Sequence, residues 1–159
     1  MAQKIGPRTE VRGSLSLRAR AMRFLARREH SRAELKRKLA PSVGEADDLE
    51  ILLDDLARGG WLSDARFAEL SIRSKARRFG PLKLAQELRG KGVDAEAIAA
   101  GFRAAGADGA SSLQRVWASR FGTPPAGERE RARHVRFLQG RGFPFDDILR
   151  FLKQLEKIT

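Results

Sequence analysis

Cysteine is absent from the 159 residues, which excludes a disulfide framework and any thiolate metal site. Histidine is scarce too: His30 and His134 stand far apart in the sequence and make a poor zinc site by themselves. Arginines interrupt every apolar stretch before it could cross a bilayer, and Met1 to Ser14 carries Lys4, Arg8 and Arg12 without the apolar core of a signal peptide. No segment alternates apolar and polar residues with β-branched content, so strands are not expected. The phosphate loop G-x-x-x-x-G-K-[ST] is missing, which argues against a P-loop nucleotide site. These absences point to an all-α protein with no metal, cofactor or membrane association, expected in a reducing cytoplasm.

Charge is present in excess of one sign. Thirty-two basic against twenty acidic residues give +12, and a hydrophobic content of 42% is enough to fold. Such a charge favours a polyanionic partner, because neutralising phosphates releases condensed counterions whatever the base sequence.

The chain also repeats itself. ELRGKGVDAEAIAAGF, Glu87 to Phe102, and FLQGRGFPFDDILRFL, Phe137 to Leu152, superimpose at an offset of 50. Leu88, Lys91, Gly92, Val93, Ile98 and Phe102 fall on Leu138, Arg141, Gly142, Phe143, Ile148 and Leu152, so apolar, basic and glycine positions keep their type. A fainter copy precedes them, with Leu39, Leu49 and Leu53 each 49 positions before Leu88, Ile98 and Phe102. A period of this size indicates stacked helical units, each expected to be too small to bury its own apolar face. Function is then expected on a long surface rather than in one pocket.

Local signals divide the chain into a basic tail over residues 1–14 and three-helix repeats over 15–62, 63–110 and 111–159. The first helix is expected over Leu15 to Glu29, and Ser31 with Glu34 reads as a capping box opening the second. Pro41 and Gly44 break that helix, and a third runs from Asp47 to Ala57. In the next repeat Ser63 caps a helix, with Leu62 and Phe67 expected as a staple. Gly80 and Pro81 start another, Gly90 and Gly92 end it, and Asp94 caps its successor. The last repeat is expected to start at Ser111 and to contain a loop from Gly122 to Glu130. Helices follow over Arg131 to Leu138 and Phe145 to Leu155, with Pro144 where Asp94 stood. The fold expected is an elongated, curved array of about nine helices.

REHSRAELKRKLA, then GGWLSDARFAELSIRSKARRFGPLKLAQELRGKGV, and finally FLQGRGFPFDDI resemble the RecX family of bacterial recombination regulators in order and spacing, over roughly Leu15 to Leu155. The resemblance implies tandem three-helix repeats. It further implies a non-enzymatic protein that binds RecA, mainly as the filament on DNA, and restrains ATP hydrolysis, strand exchange and co-protease function.

Basic residues recur in every repeat and form the candidate surface for RecA and nucleic acid. They are Arg20, Arg23, Arg27, Arg28, Arg32 and Lys36 in the first, Arg73, Arg77, Arg78, Lys83, Arg89 and Lys91 in the second, and Arg133, Arg136 and Arg141 in the third. Few acids lie close to them in sequence, and a continuous track suits a filament. Single- and double-stranded DNA are expected to bind weakly and without sequence preference, and the chain is expected to be a monomer. Most phenylalanines fall in apolar stripes and read as core; Phe143 and Phe145 are the aromatic candidates for exposure, and Trp61 for packing between units. The adjacent acids at 47–48, 54–55 and 146–147 point apart on their helices and read as caps or polar faces, against a nuclease. A tandem helix-turn-helix regulator of duplex DNA is the alternative reading.

Overall fold

The computed structural model describes residues 15–159, so the expected basic tail lies outside the described residues. Nine α-helices follow one another with no strand among the described residues: α1 (Leu17–Arg27), α2 (Arg32–Leu39), α3 (Leu49–Arg58), α4 (Asp64–Lys75), α5 (Pro81–Gly90), α6 (Ala95–Ala105), α7 (Gly109–Arg120), α8 (Glu128–Gly140) and α9 (Phe145–Ile158). A single 3-10 turn, Ala40–Ser42, continues α2 around Pro41.

Most helix starts follow from one side chain each. The hydroxyls of Ser16, Ser31 and Ser63 accept the N–H three residues on, at 3.1 Å in each case, and the carboxylates of Asp48 and Asp94 do the same for Ile51 and Ala97. Pro81 occupies the first position of α5 behind Gly80, as its fixed φ suggests. Pro144 leaves α9 without a side-chain cap.

Several expectations are corrected. The capping box at Ser31 is only half made, because the Glu34 carboxylate turns to the Arg28 guanidinium instead of returning to the Ser31 N–H. Asp108 accepts from both Ala110 N–H and the Ser111 hydroxyl, so α7 begins at Gly109 rather than Ser111. The break after Gly122 is shorter than expected, since α8 already starts at Glu128, ahead of Arg131. Leu62 joins the core of the first unit and Phe67 that of the second, so this pair divides between two cores rather than closing as a staple.

The largest correction concerns packing. Each three-helix unit buries a core of its own: Leu35, Leu39, Leu53 and Leu56 centre the first, Ile72, Leu84, Leu88 and Ile98 the second, and Trp117, Leu138, Ile148 and Leu152 the third. The period-50 positions supply these cores, as with Leu88 and Leu138, Val93 and Phe143, or Ile98 and Ile148. Units therefore do not stack to share one apolar layer. Trp61, expected between units, is 52% exposed.

What joins the units is hydrogen bonding by backbone groups, to backbone at the second joint and to side chains at the first. The turn after α8 presses on the start of α5: Gly80 N–H donates to Arg141 C=O at 2.7 Å and Leu82 N–H to Gly142 C=O at 3.0 Å. The corresponding turn after α5 meets the start of α2, where the Ser31 hydroxyl donates to Lys91 C=O at 2.9 Å. Arg32 N–H in the same first turn donates to the Asp64 carboxylate at 2.7 Å. Both turns need glycine for two reasons. Gly92 and Gly142 have φ of +80° and +96°, and a Cβ added to either would stand 2.4 Å from the Cβ of Ala33 or Lys83.

Two outcomes test this account. Gly142→Ala should lose about 1–3 kcal/mol of stability through overpacking at the joint. Gly140→Ala, two residues earlier in α8 with nothing within 4 Å of the added Cβ, should gain about 0.5–1 kcal/mol; thermal unfolding of the pair reads the contrast. The Arg28 hydrogen bond, and secondarily its charge, holds the Glu34 carboxyl at about 2, below its ordinary 4.5. A depressed folded value contributes stability above the unfolded value and loses it as pH falls. Glu34→Gln should therefore be less stable than the parent at neutral pH, and the gap should narrow as pH drops from 4.5 toward 2 in urea titrations.

Candidate nucleic-acid interface

The fold sorts the candidate cations into two groups. Arg32 meets Glu50 at 2.9 Å and Asp54 at 2.7 Å, and Lys36 also pairs with Glu50. Arg28 pairs with Glu34, Arg73 with Glu69 at 2.9 Å, and Lys91 with Glu87 at 3.8 Å. These five cations spend their charge within the protein, Arg32 and Lys36 on acids of α3 that α2 read alone does not show. The other candidates, Arg20, Arg23, Arg27, Arg77, Arg78, Lys83, Arg89, Arg133, Arg136 and Arg141, enter no ion pair among the described residues.

Six of these ten unpaired residues gather at two places, while Arg77, Arg89, Arg133 and Arg136 belong to neither. On α1, Arg20, Arg23 and Arg27 line a depression floored by Phe24 and Leu15 and closed by Lys38 from α2. Lys38 stands 5.2 Å above the Phe24 ring and its Nζ lies 3.0 Å from His30 Nε2. Lys38 belongs to the basic run of α2; eight positions from His30, it comes into reach only when α2 folds back beside α1. The second gathering surrounds Phe79, with Arg78, Lys83 and Arg141 at 5.7, 4.6 and 5.6 Å from the ring centre. Arg120, absent from the candidate set, lies beside it, 5.9 Å from the Phe137 ring that Arg141 also covers at 5.2 Å. A cation over a ring keeps its N–H groups and full charge available outward.

Both histidines have structural work. His30 is fully buried, with Nδ1 3.0 Å from Arg28 C=O, an arrangement in which Nδ1 carries the proton and Nε2 accepts from Lys38. His134 accepts from Trp117 Nε1 at 3.2 Å and stacks on Phe121 at 3.7 Å. Burial lowers both imidazole pKa values below the ordinary one, which keeps them neutral. No group of three or more His, Asp or Glu among the described residues is arranged to hold a metal ion. Phe143 is buried, and of the two aromatic candidates only Phe145 is exposed, at 49%. No helix among the described residues is long and apolar enough to cross a membrane.

Comparison with known proteins agrees with this architecture unit by unit. Profiles of the first, second and third three-helix domains of RecX match residues 18–41, 63–101 and 108–152. The regulatory protein RecX of Leptothrix cholodnii is 44% identical over 142 residues, covering 89% of this chain and 90% of the relative. That of Ralstonia nicotianae is 46% identical over 132 residues, 83% of each. The crystal structure of RecX from Lactobacillus salivarius has the same fold, with a TM-score of 0.70 at 19% identity over 89% of this chain and 95% of that one. Three consecutive domain matches and this identity along most of its length show that the chain belongs to the RecX family of regulatory proteins.

Proposed function

We propose that the protein regulates recombination by binding RecA, chiefly as the filament on DNA, and by inhibiting its ATPase, strand-exchange and co-protease activities. Family membership supports the regulatory role, and the observation that carries the finer reading is the recurrence of unpaired cations in all three units. A single pocket would concentrate them. Spread over successive units, they suit a partner that is itself repetitive and anionic, such as a nucleoprotein filament. Inhibition then requires only that the protein bind one filament state more tightly than the next, so that each ATP cycle must work against that difference.

On this reading the protein works without a cofactor, as a cytoplasmic monomer, and binds free single- or double-stranded DNA weakly and without sequence preference. Base readout would need a bidentate set reaching into a groove. The cations here lie over rings or along helix flanks instead.

RecA ATPase on single-stranded DNA tests the proposal. Added protein should inhibit below one molecule per RecA; no effect on a cognate RecA would end this reading. Arg23→Glu with Arg27→Glu should raise the concentration needed for half-inhibition by about tenfold, since repulsion replaces attraction, while exposed changes of this kind shift stability by about 0.5 kcal/mol or less. Ile98→Ala, in the second core, should instead lose about 2–5 kcal/mol of stability.

A further inference from the structure

The two joints between units are built from corresponding residues and differ in their electrostatics. At the joint of the first and second units, Glu87 pairs with both Lys75 and Lys91, Glu29 pairs with Arg66, and Glu34 holds Arg28. Fifty positions on, Arg28, Glu29, Glu87 and Lys91 become Arg78, Phe79, Phe137 and Arg141. Lys75 and Arg120 correspond as the last residues of the twelve-residue helices α4 and α7. Two carboxylates at the first joint have become aromatic rings at the second, while Arg28, Lys75 and Lys91 keep basic counterparts, Arg66 gives way to Ser111 as third residue of its helix, and Lys83 replaces Ala33.

The consequence is physical. At the first joint the acids neutralise the cations around them. At the second, Arg78, Lys83, Arg120 and Arg141 rest on Phe79, Phe121 and Phe137 at 4.6–5.9 Å, and none is ion-paired among the described residues. Glu130, which lines the same hollow as Arg120, turns its carboxylate to Ala126 N–H at 2.8 Å. Ring faces orient cations without cancelling their charge, so four like charges stay close together with their donors free. An anion from outside relieves their mutual repulsion. Three of the four are guanidinium groups, whose planar fork matches phosphate oxygens two at a time, and the half-buried rings beneath them offer apolar edges suited to sugar or base.

We infer that the joint between the second and third units is a binding site for the phosphodiester backbone of a single nucleic-acid strand, and that the joint between the first and second is closed to anions by its own carboxylates. This deepens the reading above and rests on it for its biological setting. It assigns the DNA contact to one joint out of two.

The test uses the full chain without RecA. Anisotropy of a labelled oligothymidylate is measured for two variants that lose the same two charges: Lys83→Ala with Arg141→Gln at the second joint, and Lys75→Ala with Lys91→Gln at the first. The second-joint variant should bind at least about tenfold more weakly and reduce the slope of log K against log[salt] by about 1.4, two phosphates at 0.7 each for a single strand. The first-joint variant should change affinity by less than about twofold. Melting curves establish folding, and Arg78→Gln with Arg120→Gln, both on exposed side chains, repeats the measurement should the first pair unfold. Equal losses in both variants, or no loss in either, overturn the proposal. So does displacement of the oligonucleotide by polyglutamate as readily as by unlabelled strand, which would mark an acidic protein surface as the partner. Inhibition of RecA is read separately, so a protein that binds DNA at this joint but leaves RecA untouched would refute the regulatory reading and spare this one.

Discussion

A helix leaves its first N–H groups without partners inside itself, and in this chain the second helix of a unit gives some of its own to the following unit. Gly80 and Leu82 donate to carbonyls of the turn after α8, and Arg32 donates to Asp64 at the head of α4. Because these donors are fixed in the backbone, the joint sets where the next unit stands with little help from apolar packing. The cores can then remain separate, each closed within three helices. The turn has to come close enough for its carbonyls to be reached, and glycine at 92 and 142 permits that approach.

Among the described residues the joint is used twice. In the first unit the residues 49 positions before Lys91 and Gly92 are Ser42 and Val43, and Val43 has φ of −73°, outside the left-handed region the joint requires. In the third unit the positions 50 after Gly80 and Leu82 are Glu130 and Ala132, which already lie within α8. Neither end of the array repeats the chemistry of its interior. Between those ends the joints bring basic residues of neighbouring units together, and whether a carboxylate or a phenyl ring stands among them decides how much charge faces outward.

Legibility in the sequence followed distance along the chain. Caps at Ser31, Ser63 and Asp94 were readable because donor and acceptor lie within one helical turn, the start of α5 because Pro81 follows Gly80, and the paired K-G and R-G turns because the repeat keeps their spacing. The family resemblance rested on the same local patterns. Neutralisation of the cations was mostly not readable: Glu50 and Asp54 reach Arg32 from another helix, and Glu29 meets Arg66 across a joint. Glu87 with Lys91 and Glu69 with Arg73 are exceptions, i,i+4 pairs that spacing alone could have revealed. Arg120 escaped notice because the ring of Phe137 reaches it only through folding, and the place of Lys38 over Phe24 and beside His30 is likewise assembled by folding.

Hydrogen exchange of the Leu82 amide tests the joint most directly. In an isolated helix the second residue has no intrahelical acceptor and its N–H exchanges quickly. Here it donates to Gly142 C=O, so it should be protected nearly as well as amides in the middle of α5 and should lose that protection in Gly142→Ala. Leu82 exchanging at the rate of an unstructured chain in the parent protein would contradict the claim that backbone bonds hold the second and third units together.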